Sequence, residues 1–199
     1  MSHTIDYYFT PQSPWTYLGH ARFVQLARAA NAVVRVRPVD FGAVFPATGG
    51  LPLGKRAPQR QAYRLVELRR FSNHLGIALN VHPKFFPVDA DAVAKLIVAV
   101  DKHDGAQAAM ALSGAVFSAI WVEDRNVADP TVLDALLAEC HLSPERARQA
   151  AGQPVQALYE TYTAEAIAAN VFGAPSYVLN NEIFWGQDRL DFLERALAA

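Results

Sequence analysis

Few residues of this chain are equipped for chemistry, and their spacing narrows the choices quickly. Cys140 is the single cysteine among 199 residues, so an intramolecular disulfide, a C-x-x-C redox pair and a cysteine-rich zinc site are all excluded. It lies in L-D-A-L-L-A-E-C-H-L, on what reads as the apolar face of a helix, and plain packing accounts for it. The six histidines, at positions 3, 20, 74, 82, 103 and 141, show no H-x-x-x-H or comparable ligand spacing, so no metal is expected. G-G-L-P-L-G-K-R contains a G-x-x-x-x-G-K match, but Arg56 replaces the Ser or Thr that would meet magnesium, and Pro52 argues against a phosphate loop. Arg56, Arg60 and Arg64 recur at helical i, i+4 spacing; a solvated helix face is the plainer account of this basic stripe, a ligand site the sharper one. That leaves Ser13-Pro14. A serine oxygen can cap the free backbone N–H groups that open a helix, and proline is pre-shaped for the first helical position.

The elements that must position Ser13 follow from periodicity. Ile5 to Phe9 has strand character and is followed by the turn-like Thr10-Pro11-Gln12-Ser13-Pro14. Trp15, Leu18, Phe23, Leu26 and Ala27 recur near a helical repeat, which predicts a helix from about Pro14 to Ala30. Val33 to Val39 alternates like a second strand, so the opening unit is strand, helix, strand, a parallel pair with a crossover. Residues 42 to 58 read as a loop rich in Gly and Pro. From about Gln59 to Trp121 the pattern is helical, interrupted by N-V-H-P-K-F-F-P-V. More helix is predicted at Thr131 to Cys140, Pro144 to Ala151 and Pro154 to Ala169, with Asp89, Asp129 and Ser143 as caps. Ser176 to Leu179 and Glu182 to Trp185 form a hairpin around Asn180-Asn181, and Asp188 to Ala198 closes as an amphipathic helix. This is the element order of an α/β, thioredoxin-like fold with a helical domain inserted between its N-terminal βαβ and C-terminal ββα units. The expected division is residues 1–41 and 154–199 for the thioredoxin-like domain and 42–153 for the insert.

Composition bounds the function. Hydrophobic residues make up 52% and charged residues 19%, the range of ordinary globular chains, and a formal net charge of -1 points to neither nucleic acid nor an anionic membrane. The N-terminus lacks a basic stretch followed by an apolar one, so no secretory signal is expected. Ala106 to Trp121 is shorter than the roughly 20 apolar residues of a membrane span. A soluble, cytoplasmic protein is the expectation.

Two segments carry a more specific resemblance. S-P-W-T, Ser13 to Thr16, stands at the strand-to-helix junction where thioredoxin-superfamily oxidoreductases carry C-x-x-C, with Ser13 and Thr16 at the two cysteine positions. V-F-G-A-P-S-Y-V, residues 171 to 178, looks like the superfamily's cis-proline segment, with Pro175 as the cis residue. Together with Y-Y-F-T-P-Q-S-P-W-T-Y-L, A-Y-R-L-V-E-L-R-R-F, G-I-A-L and F-W-G-Q-D-R-L-D-F-L-E, the chain resembles the 2-hydroxychromene-2-carboxylate isomerases and their kappa-class glutathione transferase relatives.

The resemblance implies glutathione as cofactor and Ser13 as the catalytic residue, its hydroxyl and the helix start stabilising the glutathione thiolate. It also implies cofactor contacts from Ala174, Pro175, Trp185, Gly186, Gln187 and Asp188, with Asp188 on the γ-glutamyl ammonium. The implied reaction is the conversion of 2-hydroxychromene-2-carboxylate to trans-o-hydroxybenzylidenepyruvate, in aromatic hydrocarbon catabolism, by reversible thiolate addition. A kappa-like glutathione transferase that conjugates small electrophiles is the nearest alternative, and a non-catalytic thioredoxin-fold binding module the next. The small aromatic substrate needs a cationic partner for its carboxylate. Lys55 and Arg56 are the candidates, with Phe85 and Phe86 as an apolar wall. Where the isomerases carry an asparagine near Gly54, this chain has none. Relatives of this kind are commonly homodimers.

Overall fold

The structure, a computed structural model, describes residues 3–198. Four strands, β1 (Thr4–Phe9), β2 (Val33–Pro38), β3 (Ser176–Leu179) and β4 (Glu182–Trp185), lie in the order β2-β1-β3-β4. β1 runs parallel to β2 and antiparallel to β3, and β3 runs antiparallel to β4. Helix α1 (Pro14–Ala29) is the crossover between the parallel strands. The two ends of the chain thus form one thioredoxin-like sheet, with β1 and β3 side by side at its centre.

Strand alternation decides what covers each face. Tyr7 and Phe9 point to one side, where Tyr7 stacks on Tyr177 (ring centroids 5.4 Å apart) and meets Phe23 of α1 at 4.6 Å. Phe9 meets Phe117 edge-on there at 5.7 Å, bringing in α5 (Ala106–Trp121). Asp6, Tyr8, Arg35 and Arg37 share the other side. Arg37 sits 4.0 Å over the Tyr162 ring and pairs with Glu165, so α8 (Gln153–Ala168) covers this face.

Between the halves lie α2 (Phe41–Thr48), a 3-10 turn (Leu53–Lys55), α3 (Pro58–Leu75), α4 (Asp91–Asp104), then α5, α6 (Pro130–Glu139), α7 (Glu145–Ala150) and α8. Buried residues of the sheet and of α1, α4, α5, α6 and α8 join one hydrophobic cluster. Among the described residues no helix is long and apolar enough to cross a membrane.

Three local expectations need correction. Residues 42–58 are not a loop throughout: α2 forms because the Asp40 carboxylate caps it, accepting from the Gly42 N–H at 2.6 Å. Phe41, Val44 and Phe45 then give it an inward face, and Gly49, at φ 76°, ends it in the left-handed conformation. Gly42 and Pro46 inside the segment disguise that pattern. At the C-terminus, Gln187–Arg189 form a separate 3-10 turn, and only Leu190–Leu197 make the helix α9. Asp129 is the N-cap of α6 and accepts from the Thr131 N–H. The Asp89 and Ser143 side chains likewise accept from the N–H two residues on, Asp91 and Glu145, but Ala90 and Pro144 hold the N-cap positions of α4 and α7.

Candidate active site at the start of α1

The segment Thr10–Pro14 turns the chain out of β1 and delivers Ser13 to the N-cap of α1. Its backbone is extended (φ -81°, ψ 118°), and its Oγ accepts from the Thr16 N–H at 3.2 Å. Ser13 is only 7% exposed, so its hydroxyl has little water to donate to. The acceptor it faces within the protein is the Ala174 carbonyl, 3.5 Å away, well beyond the roughly 2.7–2.8 Å of a good O–H···O bond. A donor is therefore held at a helix start with no strong acceptor of its own.

Ala174 arrives from the far end of the chain. The Ala174–Pro175 peptide is cis, as is Phe86–Pro87. Among the described residues neither the N–H nor the C=O of Ala174 is taken by another backbone group, which leaves a main-chain donor and acceptor beside Ser13. The Pro175 carbonyl, by contrast, accepts from the Gly186 N–H at 2.9 Å and ties this segment to the turn after β4.

That turn holds the remaining candidates. Trp185 is 50% exposed and packs edge-on against Phe172, with centroids 4.8 Å apart. Gly173 lets the indole lie flush on the backbone, since a Cβ there would come within 2.7 Å of Trp185 Cε2. Gly186 has φ 105°, a conformation that L side chains rarely adopt. Asp188 pairs with Arg189 through Oδ2 at 2.7 Å and remains exposed on its other side. It does not cap α9.

Gln187 departs from expectation. It is 1% exposed and turned inward against α1, with Oε1 facing Arg22 Nη1 at 3.3 Å and Nε2 buried without a partner. Its side chain offers nothing to a ligand; it fixes the turn to the helix instead. The contact requires Gly19, where a Cβ would lie 2.8 Å from Gln187 Cβ. The Tyr177 hydroxyl and Thr16 Oγ1 are also buried without partners. Behind Ser13, His20 is buried between Tyr7 and α5. Its Nε2 lies 2.9 Å from the Met110 carbonyl and must carry the proton, so Nδ1 accepts from the Tyr7 hydroxyl at 3.2 Å. Burial lowers its pKa to about 4 against the opposing pull of the Met110 carbonyl, so the ring is neutral.

The residues expected to meet the substrate are only partly brought together. A cleft of about 370 Å³ opens between α3 and the segment Val81–Pro87, and Phe86 lines it. Phe85, Lys55 and Arg56 do not. Lys84 lies over the Phe85 ring, Lys55 is exposed, and Arg56 donates through Nε to the Leu51 carbonyl at 2.8 Å. Arg56 also precedes α3, which starts at Pro58, so the three arginines do not form one helical stripe. The cation in the cleft is Arg64, 5.2 Å over the Phe86 ring and half-buried rather than solvated. Its spacing marked it in the sequence, but its burial by the distant Phe86 segment had no local signature. Cys140, at the end of α6, has its thiol pKa raised by burial and then by Glu139, which makes it a poor nucleophile.

Comparison with known proteins agrees with this architecture. The profile of the DSBA-like thioredoxin domain family matches residues 4–198. The chain is 31% identical over 197 residues to 2-hydroxychromene-2-carboxylate isomerase of Pseudomonas putida, covering 97% of this chain and 93% of that one. It is 28% identical over 199 residues to the protein of the same name from Sphingobium xenophagum, covering 99% of both. A solved 2-hydroxychromene-2-carboxylate isomerase superposes with a TM-score of 0.81 at 27% identity, over 98% of this chain and 94% of that one.

Proposed function

Because the chain belongs to the DSBA-like thioredoxin domain family, and within it to the 2-hydroxychromene-2-carboxylate isomerase family, we propose that it is a glutathione-dependent cis–trans isomerase of 2-hydroxychromene-2-carboxylate or a close analogue. The observation that carries this reading is the Ser13 hydroxyl, buried at the start of α1 with its proton facing only a distant carbonyl. It suits an anionic sulfur better than any neutral acceptor within reach.

The residues present fit a thiol tripeptide. The free N–H and C=O of Ala174 can pair with an extended peptide, and the exposed carboxylate oxygen of Asp188 can take an ammonium. The Trp185 indole lies against Gly173, next to Ala174 in the chain, Gly186 lies against Asp188 Oδ1, and Gln187 supports the turn from behind through its contact with Gly19. When bound, glutathione would supply a nucleophilic thiolate for reversible addition to the conjugated open-chain substrate, which permits rotation about the former double bond until the thiolate is expelled unchanged. Ser13 holds the sulfur as its anion by donating one hydrogen bond, and the α1 N-terminus contributes its partial positive charge. Because a serine is a far weaker nucleophile than a thiolate, Ser13 does not compete for the substrate. With Ser13 and Thr16 at the two cysteine positions, the chain has neither sulfur that the dithiol chemistry of C-x-x-C relatives needs.

The deciding experiment is to incubate the protein with glutathione and either the chromene carboxylate or a chloronitrobenzene. Isomer formed without net consumption of glutathione supports the proposal. A conjugate formed without isomer overturns it in favour of a kappa-like transferase.

A further inference from the structure

Arg64 is a cation without a counter-ion in a largely apolar cleft, whose other polar lining residues are Gln61 and His82. No carboxylate among the described residues pairs with it: Glu67, one turn along α3, is engaged by Arg70 at 2.6 Å. Burial, and the like charge of Arg56 after it, lower its pKa to about 10, and no acid opposes them. It remains protonated at neutral pH. Leu53, Ala62, Leu65, Val81, Pro83 and Phe86 make most of the wall apolar, and a volume of about 370 Å³ is in the range of small-ligand pockets. A buried or half-buried charge is ordinarily paired, and this one lacks only its anion.

We propose that Arg64 anchors the carboxylate of a planar aromatic acid whose ring lies in this cleft against Phe86, Pro83 and Leu65. The apolar walls select against inorganic anions, and the cation selects against neutral rings. A guanidinium also offers two parallel N–H donors, the geometry of a carboxylate. Helix α3 reaches from the cleft to the start of α1. Phe71 lies seven residues beyond Arg64 on the same helical face, about 10 Å along the axis, and meets Trp15 edge-on at 5.9 Å, two residues from Ser13. That the aromatic acid is the isomerase's substrate rests on the proposed function; its binding here does not.

The test is titration of trans-cinnamate into the full chain, followed by calorimetry or by the fluorescence of Trp121, which packs on Phe86. Cinnamamide and inorganic phosphate are the comparators, and glutathione is titrated separately. Cinnamate should bind, both comparators should be weaker, and Arg64→Gln should weaken cinnamate by about tenfold or more, the effect of losing one charge-assisted contact. Arg64→Lys should fall between the two. Glutathione affinity should be the same in all three proteins. Equal binding of cinnamate by wild type and Arg64→Gln, equal binding of cinnamamide, tighter binding of phosphate, or no binding at millimolar cinnamate would each overturn the assignment. If Arg64→Gln does not fold, Arg64→Lys and the wild-type ligand series decide. Failure of glutathione to bind would instead count against the proposed function and leave the Arg64 result standing.

Discussion

The Ser13 hydroxyl and the Ala174 carbonyl oxygen lie 3.5 Å apart, although 161 residues separate them in the chain. The contact exists because β1 and β3 are neighbours, with Tyr8 opposite Ser176, so the segments leaving their adjacent ends meet. Its length matters as much as its existence. A short bond would occupy the serine proton; at 3.5 Å the donor is positioned but not spent.

Ser13→Ala should therefore have two separable effects. Loss of the N-cap should cost about 1 kcal/mol of stability, while loss of a donor to a developing or resting anion should lower turnover about a hundredfold. Thermal unfolding and turnover at saturating glutathione measure the two independently. A variant that is slightly less stable yet nearly fully active would reduce Ser13 to a helix cap.

Asp188→Asn should weaken glutathione by about tenfold or more if the carboxylate takes the γ-glutamyl ammonium, with little change in kcat once the cofactor is saturating. Calorimetric titration reads this directly. Unchanged affinity would mean that Asp188 serves only Arg189.

Gly19→Ala should act on the site from behind. The added methyl would lie 2.8 Å from Gln187 Cβ and 3.1 Å from the Tyr177 hydroxyl, and neither neighbour is free to retreat. Overpacking of this kind costs about 1–3 kcal/mol, and relief by moving the Gln187–Arg189 turn would also weaken glutathione. A stable variant with unchanged affinity would show that the turn is not held where the packing implies.

The contrast between Gln187 and Ser13 explains what was legible in the sequence. Ser13-Pro14, the strand patterns at both ends and the G-A-P segment are local signals, and the element order with its helical middle followed from them. Helix α2 was hidden because Gly42 and Pro46 mask a pattern that the Asp40 cap and three aromatic or aliphatic side chains enforce. Gln187 faces inward and Arg64 lies over Phe86 only because distant segments close over them. No periodicity within a few residues encodes such burial, and it is what separates a solvated arginine from one in a cleft.

His20 predicts an acid-sensitive fold. Its pKa is lowered from 6.5 to about 4, chiefly by burial. The unfolded chain therefore takes up the proton first as pH falls. The stabilisation is complete above about pH 6.5 and is lost progressively down to about pH 4, amounting to a few kcal/mol. Denaturant unfolding between pH 7.5 and 4 should show this slope, and His20→Asn should flatten it. An unchanged slope in the variant would move the acid sensitivity elsewhere.

Arg64→Leu provides the converse case, a substitution that should stabilise the free protein. The folded state lowers the proton affinity of Arg64, so below about pH 10 its charge is a penalty that the unfolded chain does not bear. Leucine would remove the penalty and pack against Phe86 and Leu65, so the variant should melt no lower than wild type and up to a few degrees higher, as about 1 kcal/mol corresponds to roughly 2–4 °C at this size. The advantage should hold steady below about pH 10 and narrow only above it, where the folded wild-type side chain loses its proton before the unfolded one does. Saturating trans-cinnamate should reverse the order, because the bound carboxylate supplies the missing counter-ion to arginine and nothing to leucine. A variant that melts well below wild type without ligand would show instead that Arg64 is already satisfied within the fold.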